Sequence, residues 1–245
     1  MDQKKAGINF KKGKLVSGVI YPSFFPITKE DLVLNIGCGD GVQAVVYGGN
    51  FKEMVGVDIN EKSLATAVAV MDYYGIKNFK SIGGNVEKIP LNDRFDKAIA
   101  IDIIEHVIHP EKVIGEIRRL LKDNGRLLMT FPAMHDKWER FFRLVGQKIL
   151  RRRSQAASKN GWNPDRHQHD YSLKKWLKLL QHGGFKLVKS RASTMWPPLH
   201  YLGLPKFWFS SKIIRTIDGF FCRLPIVKNF GQALVCEFIK DNKHE

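Results

Sequence analysis

Cysteine, long apolar runs and repeats are what this chain has least of. Its three cysteines, Cys38, Cys222 and Cys236, fall at no metal-type or redox-type spacing, which excludes a cysteine-built metal or redox motif and points to a reducing compartment. No apolar run approaches the roughly 18 residues of a membrane-crossing helix, so no transmembrane span is expected. The opening stretch MDQKKAGINFKKGK lacks the apolar core of a secretory signal, and a cytoplasmic location follows as the expectation. Neither an internal repeat nor a low-complexity tract is present. What remains is 245 residues of 44% apolar composition, enough to bury the core of one α/β domain.

The stretch LVLNIGCGDGVQ at 32–43 reads as a buried strand running into a glycine-rich turn and a helix. Leu32, Val33, Leu34 and Ile36 supply the strand, while Gly37, Gly39 and Gly41 permit positive φ and let a ligand approach the backbone. Alone, such a triad fits a cofactor loop or a turn that only tightens strand–helix packing. Downstream, MVGVDINEKSL carries a second apolar strand that ends on Asp58. A carboxylate there can bond both ribose hydroxyls of a nucleoside ligand in a doubly wound sheet, or cap the helix starting near Glu61. The spacing is Gly-x-Gly-x-Gly followed by Val42 and Gln43, which does not favour a pyrophosphate. Cys38 reads as a small filler rather than a nucleophile.

Apolar periodicity predicts strands near 32–37, 54–58, 79–83, 96–101 and 126–132, with helices near 41–48, 61–74 and 110–122 between them. Such alternation implies a parallel sheet. A further helix over 172–183, opened by Ser172 and closed by Gly183 and Gly184, and strands near 185–192 and 232–240 complete it.

The motifs GCGDG, VGVDIN, GNVEKIP and RFDKAIAIDIIEHVIHPEKVIGEIRRLLKDNGRLLMTFP resemble, in content and order, the class I S-adenosylmethionine-dependent methyltransferases. The resemblance covers 30–132, and 165–192 more loosely. It implies a Rossmann-like, doubly wound, mostly parallel seven-stranded sheet whose last strands form an antiparallel edge. It also implies S-adenosyl-L-methionine as cofactor. Gly37, Cys38, Gly39 and Gly41 would lie along the methionine half, Asp58 with Ile59 at the ribose, and Asn85 with Val86 at the adenine. Asn35 and Asp102 complete the implied cofactor set. Two positions depart from the family: Asn35 stands where an acid is usual in the first strand, and Asn85 where an acid often meets the adenine amino group. Asparagine accepts a hydrogen bond but supplies no charge, so weaker cofactor binding and a non-catalytic relative both stay open.

After the fourth strand, Asp102, Glu105 and His106 resemble the small-molecule subgroup that includes the quinone-biosynthesis O-methyltransferases. There such a triplet is associated with a divalent metal, against the commoner arrangement in which the histidine fixes the loop without metal; no metal is assigned. Methyl transfer to a hydroxyl asks for in-line placement and a base. Histidine suits that role at neutral pH, and the candidates are His106, then His169, then His135. His167 and His169 could likewise suggest a metal pair, but a polar approach to the Ser172 helix is the commoner explanation.

Charge is unevenly spread. The formal balance is +16, yet 30–130 holds 12 basic and 15 acidic residues, so the remainder carries +19. An anionic partner is implied. In DKWERFFRLVGQKILRRR at 136–153, Trp138, Phe141, Phe142, Val145 and Ile149 recur at helical spacing among Lys137, Arg140, Arg143, Lys148 and Arg151 to Arg153. This is either a membrane-surface helix or a lid helix packed on the sheet. The stretch 204–225, with Phe207, Trp208, Ile213, Ile214, Ile217, Phe220 and Phe221, reads first as core packing and second as another membrane-facing element. Arg151 to Arg153, Lys159 and Arg166 could track nucleic-acid phosphates, but no RNA-binding module or Asn/Asp-Pro-Pro-Tyr motif accompanies them.

The expectation is a single methyltransferase domain over 1–245: a basic extension at 1–29, a cofactor-binding core at 30–132, a basic amphipathic insertion at 133–171 and a completion of the sheet at 172–245. A small or lipid-linked acceptor, methylated at oxygen, is expected, with an anionic membrane face as a second candidate partner of 136–153 beside the lid-helix reading. RNA methylation and a non-catalytic cofactor-binding role are the alternatives.

Overall fold

The computed structural model describes residues 21–132, 141, 144–145, 168–169, 171–194, 212–224 and 233–241. The chain enters through a short helix, α1 (Tyr21–Phe24), and then alternates: β1 (Leu32–Ile36), α2 (Val42–Val46), β2 (Glu53–Asp58), α3 (Glu61–Tyr74), β3 (Phe79–Gly83). It continues through β4 (Phe95–Ala100), α4 (Pro110–Leu120), β5 (Leu121–Pro132), α5 (Leu173–His182), β6 (Phe185–Ala192), α6 (Lys212–Phe221) and β7 (Ala233–Lys240). The seven strands form one sheet in the order β3-β2-β1-β4-β5-β7-β6. β1 to β5 pair in parallel. β7 runs antiparallel to both β5 and β6. The expected antiparallel edge is therefore one reversed strand, with β6 pointing the same way as the parallel set.

Period-two alternation sends the two sides of each strand into two cores. Leu34, Ile36, Val55 and Val57 face Val113, Ile117, Trp176 and Leu180 of α4 and α5. Val33, Met54, Ile99 and Leu128 face Ala44 and Val70 of α2 and α3 together with Tyr21, Phe25 and Ile27. Residues 21–27, placed by sequence in the N-terminal extension, thus pack into the second core, and Tyr47 Oη donates to the Phe25 carbonyl at 2.9 Å.

Local signals explain the ends of the elements. Asn60 caps α3 by accepting from the N–H groups of Lys62 and Ser63, and Gly75 closes it at φ 66°, a left-handed stop that glycine adopts without strain. Asn60, not Asp58, is that cap. Ser172 caps α5 through the N–H of Lys175. The helix predicted to reach 122 stops at Leu120, and β5 begins at Leu121 rather than 126, because fully buried Leu121 already pairs with Phe95 of β4. α2 is shorter than predicted, since Gly41 sits in the left-handed region as its N-cap.

Candidate functional site

In an open sheet of this kind ligands sit beyond the carboxyl ends of the parallel strands, where β1, β2, β4 and β5 deliver their loops. The three glycines after β1 do three different jobs. A Cβ on Gly37 (φ 64°) would run into the Ile103 side chain, so the turn after β4 lies directly on the glycine loop. A Cβ on Gly41 (φ 76°) would come within 2.9 Å of Met71 and 3.3 Å of Ala67, so this glycine admits α3. A Cβ on Gly39 (φ 51°) would meet nothing within 4 Å. Packing does not ask for a glycine there, and the backbone is open to a ligand. Cys38 is buried over Gly56, where a Cβ would lie 2.7 Å from its Sγ, and burial, then Asp58, pushes its thiol up to about 12. It is a protonated filler at neutral pH, as expected from sequence.

Asp58 ends β2 and holds the loop in place. Its Oδ2 accepts from the Gly39 N–H and its Oδ1 from the Asn60 N–H, both at 2.8 Å. Each oxygen keeps a lone pair for a further donor. Beside it Ile59 is exposed, at 64%. After β3, the exposed Asn85 accepts from the Glu87 N–H at 2.8 Å, and Val86 packs partly against the core. Glu87 in turn accepts from the N–H groups of Ile108 and His109 at the start of α4, each at 2.9 Å. The loops after β1, β2, β3 and β4 are thereby linked in series.

At the end of β1, Asn35 is buried and its Nδ2 donates to Gln43 Oε1 at 3.4 Å, a neutral pair where the family carries an acid. Next to it, beyond β4, exposed Asp102 adopts φ 54°, a left-handed state that costs a non-glycine residue about 1–2 kcal/mol and that aspartate tolerates better than most. Thr130 of β5 holds it: the hydroxyl accepts from the Asp102 N–H at 2.8 Å and donates to Asp102 Oδ1 at 2.9 Å. Tyr21 stands near enough that Asp102, after burial, raises its phenol above the ordinary value.

Glu105 is buried, and His106 lies half-buried with Nε2 4.0 Å from Glu105 Oε1. The Glu105 carbonyl accepts from the N–H groups of Gln168 (2.8 Å) and His169 (3.4 Å). His169 Nε2 lies 3.1 Å from the Ile108 carbonyl. A carbonyl only accepts, so Nε2 is the protonated nitrogen and Nδ1 the basic one. His169 thus clips the turn after β4 to the approach of α5, which agrees with the polar-approach reading. Asp102, Glu105 and His106 do not assemble as a ligand set: among the described residues no group of three His, Cys, Asp or Glu side chains could hold a metal. His135 and His167, with Arg151 to Arg153, Lys159, Arg166, Trp138, Phe207 and Trp208, lie outside the described residues.

A model of the methyltransferase domain family matches residues 27–184. The chain belongs to that family. Among curated relatives, it is 30% identical over 102 residues to an uncharacterized methyltransferase, YcgJ, of Bacillus subtilis, covering 41% of this chain and 40% of the relative. It is 26% identical over 149 residues to a ubiquinone biosynthesis O-methyltransferase of Rickettsia conorii, covering 61% of this chain and 47% of the relative. The chain thus spans under half the length of these two relatives. Among solved structures, YcgJ aligns with TM-score 0.60 at 20% identity, covering 92% of this chain and 98% of that one. The cyclase SpnF aligns with TM-score 0.59 at 16% identity, covering 93% and 80%. Structural likeness at such identity establishes the fold alone, and the cyclase is a reminder that the fold does not fix the chemistry.

The methyl donor of this methyltransferase family is S-adenosylmethionine, and the residues present fit it. Gly39 leaves the backbone approachable, Asp58 retains acceptor capacity at the end of β2, and Ile59 offers an apolar surface beside it. Sequence reasoning missed Gln43, Glu87, Ile103 and Thr130, which support the loops. A polar residue within an otherwise apolar element, Gln43 in VQAVV or Thr130 in LLMTFP, was the visible signal. Their partners depend on tertiary contact.

Proposed function

We propose that the chain is an S-adenosylmethionine-dependent methyltransferase that methylates an oxygen of a small or lipid-linked acceptor. The observation that carries the reading is the loop pinned by Asp58 with an open approach at Gly39. Gly37, Cys38, Gly39 and Gly41 would follow the methionine half through their backbone, Asp58 would accept from the ribose hydroxyls, and Asn85 and Val86 would border the adenine. When bound, the cofactor supplies an already electrophilic methyl group. The chain has to align the acceptor and remove its proton. His106, beside buried Glu105, takes the hydroxyl proton, and the carboxylate steadies the imidazolium that forms. His169 is the second choice, through Nδ1.

The ubiquinone biosynthesis O-methyltransferase relative supports oxygen as the acceptor atom. The apolar side supports a greasy acceptor. Ile108 follows β4, Phe141 and Leu144 follow β5, and Ile217, Phe220 and Phe221 stand on α6 between the carboxyl end of β6 and the start of β7. All six are between 45% and 63% exposed. For the three residues of α6 this replaces the expected core packing. These exposed apolar residues, with the +19 that the sequence carries outside 30–130, support contact with an anionic lipid face.

The test is incubation with methyl-labelled S-adenosylmethionine and a host extract, followed by partition of the label. Label in the organic phase is expected. Label in nucleic acid would replace this acceptor class by RNA, and cofactor binding with no label in any fraction would mark a non-catalytic binder, the reading that Asn35 and Asn85 keep open.

A further inference from the structure

We infer that Asp102 is the counter-ion for the α-ammonium group of the cofactor, supplying from β4 the negative charge that β1 lacks at Asn35. The inference rests on the proposed binding of S-adenosylmethionine.

S-adenosylmethionine brings two cationic centres, sulfonium and α-ammonium, into the cleft beside the glycine loop. The ammonium has three N–H donors and no acceptor, so its recognition calls for acceptors and preferably for a charge. The end of β1 cannot provide the charge. Asn35 is 1% exposed, and its amide donor is committed to Gln43, itself buried. β4 is the adjacent strand, with Asn35 opposite Ile99 and Ile36 opposite Ala100, so the turns after Ile36 and Ala100 leave the sheet side by side. Ile103 packed on Gly37 closes the gap between them. Asp102 therefore borders the glycine loop itself.

Three further observations mark Asp102 as more than a turn residue. It is held in the left-handed region although an aspartate in an ordinary turn has no need of it. The Thr130 hydroxyl, buried at 1% exposure, is spent entirely on it, accepting from its N–H and donating to its carboxylate. That donation fixes Oδ1 and leaves the other acceptor positions of the carboxylate for a ligand. Asp58, the acid of β2, keeps one acceptor position per oxygen beyond its bonds to Gly39 and Asn60, and in the proposed binding these go to the ribose hydroxyls. Asp40, within the loop, is the competing acid, and the experiment includes it.

Calorimetric titration of the full chain with S-adenosylhomocysteine, which keeps the amino-acid half, and with 5′-methylthioadenosine, which lacks it, separates the contributions. Asp102→Asn keeps the shape, and asparagine also tolerates the left-handed backbone, so a circular-dichroism melt should match wild type. Affinity for S-adenosylhomocysteine is expected to fall about tenfold or more, the size of a lost charged hydrogen bond. Affinity for 5′-methylthioadenosine should not move. Thr130→Val, which frees the carboxylate to swing, should give a smaller loss of the same selectivity. Equal loss of both ligands in Asp102→Asn, loss of neither, or a selective loss in Asp40→Asn with Asp102→Asn unchanged would overturn the assignment. Wild-type protein that bound neither ligand would bring down the cofactor reading as well, which separates the two failures.

Discussion

A methyl group added at position 39 would enter open space, whereas one added at position 37 would strike Ile103. Both glycines hold positive φ, so alanine at either costs about 1–2 kcal/mol of backbone strain; only at 37 does a steric clash add to it. Gly39→Ala is therefore expected to fold, with a melting temperature a few degrees below wild type, and to lose cofactor affinity because its Cβ occupies the ligand's approach. Gly37→Ala is expected to be far less stable. Thermal melts paired with S-adenosylhomocysteine titration check both, and a Gly39→Ala protein that binds normally would remove the cofactor from that face of the loop. At this scale the sequence was informative where local geometry selects a residue type, as at Gly39 with its positive φ, buried Cys38 and Asp58 at the end of β2. It was silent where a role depends on a distant partner. Nothing in IAIDIIEH foretells that Asp102 takes φ 54° under Thr130, because that bond spans 28 positions and forms only when β5 lies beside β4.

Among the elements, α4 shows how a helix also fixes a loop. Glu116 takes a two-pronged bond from Arg119, at 2.8 and 2.9 Å, and accepts the Ile89 N–H at 2.7 Å, while Arg119 reaches the carbonyls of Ile89 and Leu91. The Arg119 hydrogen bonds, outweighing desolvation, hold the Glu116 carboxyl below the usual carboxylate range. A depressed carboxylate contributes stability that is complete above its unfolded pKa, about 4.3, and is lost as pH falls through the lower folded value. Glu116→Gln is thus expected to be less stable than wild type at neutral pH, with the gap closing below about pH 4. Urea unfolding at several pH values checks this, and a gap independent of pH would sever the link to the ionised form. Six of the seven strands lay within a residue or two of their sequence-derived spans, because alternating apolar runs between turn residues record the sheet directly. β5 was the exception, since LKDNG looks like a loop and its first residue joins the sheet only by pairing with Phe95. α6 was not read as a helix, and its outward Ile217, Phe220 and Phe221 had looked like core.

For the whole molecule the decisive contrast is between residues 30–130, which are nearly neutral, and the remainder of the sequence, which carries +19. A field of that sign, together with exposed Phe220 and Phe221, predicts sedimentation with vesicles containing anionic lipid. That binding should weaken as salt shortens the screening length to about 3 Å near 1 M. Phe220→Ser with Phe221→Ser should reduce what remains at high salt. Sedimentation insensitive to both salt and these substitutions would leave the aromatics to the acceptor alone. No helix among the described residues is long and apolar enough to cross a membrane. The reversed course of β7 has a practical corollary. Because it starts opposite Pro132 at the cleft and runs back along β5, Asp241 lies at the opposite pole, where its N–H meets the Gly184 carbonyl at 2.8 Å. A dye or surface tether attached at that residue would sit away from the glycine loop and leave the carboxyl ends of the parallel strands open to solution.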